Sequence, residues 1–440
     1  MKLTSEWRVY LLGATLCLAL TICSHNLNDR GGPYFMASLT VAGIAYLLAI
    51  RELFAAPKFP RRVFIIGLVL AAVCHIELLC APAGFDDDIH RYVWDGRLQR
   101  LGYNPYIVVP DDPAVRGLHT YETRNLNNPD LPSPYPPGAQ LFFRAVTAIH
   151  ESTFALKLAF VICEFAIAFV LLDMLHRKQR SDLILAYAWN PLLGIEVAGS
   201  GHVDIVGALL LVVSVAALAH RWRAIAALTF GLAVSVKFLP IVLLPLYWKR
   251  VRIRDVALAA IVAALLYVPF LSHGHIPIGS LGTYIQSFRF NGPVFAALNR
   301  VVPPQLAAGA AVLVGLATAT WIRSTKPDWS PELCAWPMAA SLFCAPVVFP
   351  WYLLWLVPFL TSTSTLLIIV WTVSIIPTYV MWHLRTIGHG WGSLPGWVML
   401  LEYACVAVGA VLIALRQRSR SATRRCAAPE LEMEPTDTEI

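Results

Sequence analysis

The chain has 440 residues, of which 58% are hydrophobic and only 14% charged, with a formal net charge of +7. A soluble domain would be about half apolar and about a quarter charged, so this composition excludes a soluble enzyme and points to a chain made mostly of membrane-crossing segments. The positive balance is not a nucleic-acid footprint, because no basic surface interleaved with exposed aromatics stands on a soluble region.

Apolar runs of roughly 17–25 residues recur along the chain, long enough to cross a hydrocarbon core as helices, and they lack the alternation of a membrane barrel. Backbone groups in the bilayer must be satisfied within each segment, so the expected fold is all-α, a polytopic bundle of about 12–14 membrane segments. The first expected spans are 8–24, 34–50 and 63–82. After a long polar insertion at 84–136 come 153–175, 182–198, 203–219, 255–272, 305–322, 333–346, 351–361, 364–382 and 396–415. Residues 137–150 are too short to cross and read as re-entrant. Residues 223–247 are interrupted by Lys237 and Pro240 and read either as one kinked helix or as a pair of half-helices. The first span reads as retained, since no small-residue cleavage pattern follows it and Asn26 to Gly32 form a turn. One membrane domain is expected over 1–422, with a disordered cytoplasmic tail over 423–440. The nine cysteines are odd in number and lie mostly inside spans, as small core residues rather than a disulfide framework or a metal site.

Short loops rich in Lys and Arg stay on the cytoplasmic side. Arg51, Lys58, Arg61 and Arg62 form one such loop, Arg177, Lys178 and Arg180 another, and Arg221 and Arg223 a third. Lys249, Arg250, Arg252 and Arg254 form the strongest, and Arg416, Arg418, Arg420, Arg424 and Arg425 follow the last span. Together they place both termini inside and the 84–136 loop outside, with the 273–304 and 383–395 loops on the same face. The 223–247 piece must then enter and leave on the inner side, which a half-helix pair satisfies and a single span does not. The localisation expected is the inner (plasma) membrane.

The long loop opens with three carboxylates, Asp86, Asp87 and Asp88, in Phe85-Asp-Asp-Asp-Ile-His-Arg-Tyr-Val-Trp-Asp-Gly-Arg97. A carboxylate cluster at the membrane edge costs free energy unless it is paired or does chemistry. One of Asp87 and Asp88 is the candidate general base, set against the plain role of a helix N-cap, and Asp86 is expected to cap or to face solvent. Ile89, Tyr92, Val93, Trp94, Leu98 and Leu101 recur at helical spacing with Arg91, Arg97 and Arg100 between them. That pattern predicts an amphipathic helix lying in the headgroup layer, ended by Gly102. Asp95 is expected to pair with a nearby arginine. Cations beside carboxylates suit a reaction in which an acceptor hydroxyl loses a proton and an anion departs.

The stretch Asp87-Asp-Ile-His-Arg-Tyr-Val-Trp-Asp-Gly-Arg-Leu-Gln-Arg-Leu-Gly-Tyr-Asn-Pro-Tyr106 resembles the first external loop of bacterial GT-C glycosyltransferases. These are the mannosyltransferase-like and family-87-like enzymes that use polyprenyl-phosphate sugars. Asn128-Pro-Asp-Leu-Pro-Ser-Pro-Tyr-Pro-Pro-Gly-Ala-Gln140 resembles the proline-rich return of that loop. Asn190-Pro191, Gly201-His-Val-Asp204, Lys237-Phe-Leu-Pro240 and Phe349-Pro-Trp-Tyr352 follow in the expected order. The resemblance implies a GT-C-like helix bundle with its active site on the non-cytoplasmic face. It also implies a hexosyl transfer, with mannose the first candidate, from a polyprenyl-phosphate donor to a glycan or glycolipid acceptor, with inversion. Its pattern favours Asp88 as the base, beside Asp87. No cofactor is implied; a divalent metal is compatible but not required, because arginine or lysine can neutralise a departing monophosphate.

Arg91, Lys237, Arg289 and Arg385 are candidates for the donor phosphate. Arg91 is otherwise a snorkelling side chain, and Lys237 otherwise a structural partner of Glu164 or Glu196. Arg385 ends the penultimate span with His383. His202, Asp204 and Asn291 are candidates for substrate contacts, against the plain reading of polar turn and loop residues. Trp351 and Tyr352 can stack on sugar or isoprene, or simply belong to the interfacial aromatic belt. Two rivals share these features: a transporter or flippase of lipid-linked sugars, and an O-antigen ligase or polymerase-like enzyme working on a diphosphate-linked glycan. Partners are the lipid-linked donor, the acceptor and membrane lipids.

Overall fold

The computed structural model describes residues 4–83, 87–124, 126–272, 277–326, 328–388 and 394–426, leaving aside the side chains of Asp87 and of residues 417–426. Its ordered elements are helical, apart from an isolated parallel bridge between Phe290 and Val347. Ser5–His25 (α1), Pro33–Ala55 (α2) and Arg61–Cys80 (α3) come first. Asp87–Arg100 (α4) and Pro137–Ile149 (α5) belong to the long insertion, and Thr153–Arg177 (α6) follows it. Among the described residues, eight segments are long and apolar enough to cross a membrane: α1, α2, α3, α6, Ile253–Phe270, Pro304–Thr325, Thr363–Thr386 and Gly396–Arg416. The protein is a multi-pass, all-α helix bundle.

The other expected spans are shorter or broken, and they lie inside the bundle. Over 182–198 the chain forms a 3-10 turn, the short helices Ile184–Ala188 and Pro191–Leu193, and a π turn at Gly194–Gly199. Pro191 lacks the N–H that would continue the first piece, and Asn190 caps the second by accepting from the Leu192 N–H at 3.1 Å. Every residue from Asp182 to Ser200 is buried. Trp189 anchors this stretch to α3 by donating to the Gly67 carbonyl at 2.8 Å. The 351–361 region is likewise two 3-10 runs, Pro350–Trp355 and Val357–Phe359. Asp204–Ala219, Arg223–Val236 and Ala335–Phe343 are helices too short to cross alone.

The 223–247 region takes its two-piece form. The helix Arg223–Val236 stops at Lys237, whose backbone is extended, and the chain returns through the turn Leu239–Leu243 and the helix Leu244–Tyr247. Tyr247 packs on Phe230 (centroids 4.4 Å apart) and shares a 2.8 Å hydrogen bond with Ser214, so the return runs back beside the outgoing helix.

Helix α4 forms where the sequence places it, but it is enclosed instead of lying half-sunk in the headgroup layer. Ile89, Tyr92 and Val93 join the main core. Trp94 and Leu98, on another face, close with Val115 and Leu126 into a small second core. The loop folds back over the helix, so both apolar faces are covered. Gly96 lets α4 cross tightly over α5, since an added Cβ would stand 2.6 Å from the Phe143 carbonyl oxygen. Asp95 does pair with an arginine: it accepts from Arg91 Nε at 2.9 Å, and Gln140 and Ser133 complete its shell. Helix α5 packs between α4, α6 and Arg223–Val236. At the C-terminal end the last helix continues to Cys426, past the expected start of the tail; residues 427–440 lie outside the described residues, as does Asp86.

Candidate active site

The insertion, the break at Lys237, the 280–290 stretch, the 349–352 turn and the end of the penultimate span converge on one cavity of about 610 Å³. That is the size of a small-ligand site. Its described lining holds one carboxylate, Asp88, and four cations: Arg91, Lys237, Arg289 and Arg385. Trp351, Tyr352, Tyr284, Phe349 and Trp382 supply aromatic wall.

Asp88 stands on the first turn of α4, where the free backbone N–H groups favour negative charge. Asn127 Nδ2 donates to its Oδ1 at 2.5 Å, and its Oδ2 lies 3.8 Å from His202 Nδ1. Arg91 follows one turn later and is 2% exposed. Its Nε is spent on Asp95, and its Nη1 reaches the Asn128 carbonyl at 3.4 Å. Its Nη2 is buried without a hydrogen-bond partner among the described residues. A buried guanidinium nitrogen with no partner is costly, and the Arg91 side chain also lines the cavity.

Lys237 sits where the helix breaks. Its Nζ donates to Asp204 Oδ1 at 2.7 Å and lies 3.8 Å from the centroid of the Tyr352 ring. Neither Glu164 nor Glu196 is its partner: Glu164 meets His75 at 3.0 Å, and Glu196 meets Arg30 and His202. Tyr352 and Tyr284 share a 2.6 Å hydroxyl contact across the cavity wall. Burial first, and then the charge of Asp88, push the Tyr135 hydroxyl well above its usual range, so it meets the site as a neutral group.

Three other candidates are placed differently. His202 and Asp204 lie behind the wall and do not line the cavity; they touch Asp88 and Lys237 from the protein side. Asn291 turns away altogether, its Nδ2 donating to the buried Glu402 at 2.8 Å. An amide in an apolar core follows the nearest buried acceptor. Arg289 lines the rim, but its guanidinium also caps the helix Leu281–Ser287 through the carbonyls of Ile285, Gln286 and Phe288. Asp87 adjoins Asp88, with its side chain outside the described part. Sequence reading missed Asn127, Arg30 and the roles of Glu196 and Trp382. Arg30 and Glu196 carried a signal, as ionisable residues flanking or inside apolar runs.

Residues 24–251, a little over half of the chain, match the family model described as alpha-(1->6)-mannopyranosyltransferase, N-terminal domain. The match takes in Asp88, Arg91, His202, Asp204 and Lys237, and it ends before the 280–290, 349–352 and 382–385 walls. No curated protein and no solved structure matches the chain.

Proposed function

The chain belongs to the alpha-(1->6)-mannopyranosyltransferase family and is a multi-pass membrane mannosyltransferase; from that premise we propose that it takes mannose from a polyprenyl-phosphate carrier and transfers it to a glycan or glycolipid hydroxyl on the extracytoplasmic face of the plasma membrane. The observation that carries this is the pairing of one carboxylate with four cations in a single cavity. Asp88 takes the proton of the acceptor hydroxyl as its oxygen attacks the anomeric carbon. The bond from that carbon to the phosphate oxygen breaks, and the electron pair leaves with the lipid phosphate. One displacement inverts the anomeric centre. Arg91 and Lys237, with Arg289 and Arg385 at the rim, stabilise the charge that grows on the phosphate. Trp351, stacked between His202 and Phe349, presents only an edge to the cavity, and Tyr352, with Lys237 over one face, completes that wall beside the sugar. The broken segments at Lys237 and Gly194–Gly199 are features that transporters share, but a carboxylate set opposite cations serves a proton-removing transfer rather than passage.

The test is donor choice. Purified protein in lipid nanodiscs should transfer labelled mannose from a polyprenyl phosphomannose to a mannoside acceptor with inversion, and should not do so from a nucleotide-linked mannose. Equal transfer from the nucleotide sugar, or retention at the anomeric carbon, would overturn the reading. The face is tested separately. Gly117 is exposed in the long loop, with open space around an added Cβ. A Gly117→Cys variant of an otherwise cysteine-free chain should react with a membrane-impermeant maleimide in cells whose inner membrane is intact. Reaction only after that membrane is breached would place the cavity on the opposite side.

A further inference from the structure

We propose that His202 and Glu196 form a buried proton relay behind Asp88, which holds the acceptor's proton during the transfer. The inference rests on Asp88 being the base. The imidazole of His202 is fully buried. It is stacked on Trp351, with centroids 4.0 Å apart and planes 8° apart. Its Nδ1 faces Asp88 Oδ2 at 3.8 Å, and its Nε2 lies 3.0 Å from Glu196 Oε2. With Asn127 holding Oδ1, Oδ2 is the oxygen of Asp88 that faces the relay. Glu196 is held by two further groups. Arg30 Nη2 reaches it at 3.3 Å, and the Tyr379 hydroxyl donates to it. Arg30 in turn lies over the Tyr379 and Trp382 rings.

The backbone places this row deliberately. The π turn Gly194–Gly199 is followed by N–H groups of Gly201 and His202 that both donate to the Glu196 carbonyl, at 3.1 and 3.0 Å. Such turns recur at functional sites. Gly201 has φ +81°, and an added Cβ would stand 2.6 Å from Ile89 Cδ1, so this turn packs directly on the first turn of α4 beside Asp88.

The chemistry explains the need. Proton removal needs a place for the proton to rest while the phosphate departs, and the four cations in the cavity cannot accept it. A histidine backed by a carboxylate is a better proton sink near neutral pH. In the proposed arrangement Nε2 carries the proton toward Glu196, and Nδ1 presents its lone pair to Asp88. The acceptor's proton passes to Asp88 as the new glycosidic bond forms and, through one water spanning the 3.8 Å to Nδ1, on to the imidazole. The imidazolium then stands between two carboxylates. When the products leave, the proton returns through Asp88 to water entering the cavity, and the balance closes. The ionisable groups around the row are Asp88 from α4, Glu196 from the π turn with Arg30 and Tyr379 behind it, the Lys237–Asp204 pair on one flank, and Tyr92 and Tyr135 beside Asp88.

The test is kcat against pH in nanodiscs, with polyprenyl phosphomannose as donor. In the wild type, kcat should fall on acidification through a limb that depends on His202 and Glu196; an acid limb identical in the wild type and the Glu196→Gln variant would overturn the relay. His202→Gln should lower kcat at least about tenfold and leave the donor KM within about twofold. Glu196→Gln keeps the imidazole but removes the charge that stabilises the imidazolium, so its acid limb should move to lower pH. Unchanged rates and limbs in both variants, or reduced rates with an unmoved limb, would overturn the relay and leave the pair structural. Asp88→Asn separates the two readings. Full activity there removes the base itself. Its inactivity, beside wild-type behaviour of both relay variants, removes the relay alone.

Discussion

Asp88→Asn is expected to fold, to bind the polyprenyl donor, and to lose at least about a hundredfold in turnover. The amide keeps the size of the carboxylate, and its oxygen can still accept from Asn127 Nδ2, which now approaches Asp88 Oδ1 at 2.5 Å. What it loses is basicity. A positioned base contributes about 10²–10⁴ to rate, equivalent to about 3–5 kcal/mol of barrier. In the proposed reaction donor affinity rests on the cations and the aromatic wall, so binding of a polyprenyl monophosphate to the variant should stay near that of the wild type. Asp87→Asn is the control. A collapse there with near-normal turnover in Asp88→Asn would move the base by one residue. Near-normal turnover in both would remove the carboxylate mechanism.

The long spans were legible because lipid-facing helices of about 20 residues have to be apolar along their length. The buried middle of the bundle was not. Residues 182–198 and 351–361 are as apolar as a span, yet they are short pieces, the first interrupted at Pro191 and the second preceded by Pro350 and interrupted at Pro358. Periodicity cannot distinguish an apolar run surrounded by protein from one surrounded by lipid. For α4 the helical spacing was visible, but its cover was not. Val115 and Leu126 are isolated apolar residues in a polar loop, and nothing local says that they close over Trp94 and Leu98.

The site divides along the same line. Asp88, Arg91, Lys237, Arg289, Trp351, Tyr352 and Arg385 are spread over some two-thirds of the sequence and meet in one cavity. Asp88, Lys237, Trp351, Tyr352 and Arg385 stood out as charges or aromatics at the end or break of an apolar run, Arg91 as a cation on the amphipathic helix and Arg289 as one in an external loop, and helix ends on one side of a bundle converge. Partnerships were beyond reach. Arg30 and Glu196 are 166 residues apart in sequence, and Asn291 and Glu402 are 111 apart. Which buried donor takes which buried acceptor is decided by packing.

Lys237→Gln is expected to reduce turnover at least about tenfold, and the double variant Lys237→Gln/Asp204→Asn is expected to recover stability without recovering turnover. Lys237 has two possible tasks, and the structure shows the groups for both. It pairs with Asp204, which is 1% exposed and otherwise accepts from Trp355 Nε1 at 2.8 Å. It also faces the cavity across the Tyr352 ring. Removing the lysine alone strands a buried carboxylate, a loss of about 3–5 kcal/mol for a fully enclosed pair. The cost should fall below that here, since the lysine side chain is 26% exposed and water can reach one end of the pair. Neutralising Asp204 as well removes the stranded charge, so the thermal midpoint in detergent should return toward the wild type. Turnover should not follow, because the cation that the proposed reaction sets opposite the departing phosphate is still missing. Lys237→Arg keeps the charge and should retain more activity than Lys237→Gln. If turnover returned together with the midpoint in the double variant, Lys237 would be a structural partner only. The stabilisation of the phosphate would then fall to Arg91, which lines the same cavity and whose Nη2 has no hydrogen-bond partner among the described residues.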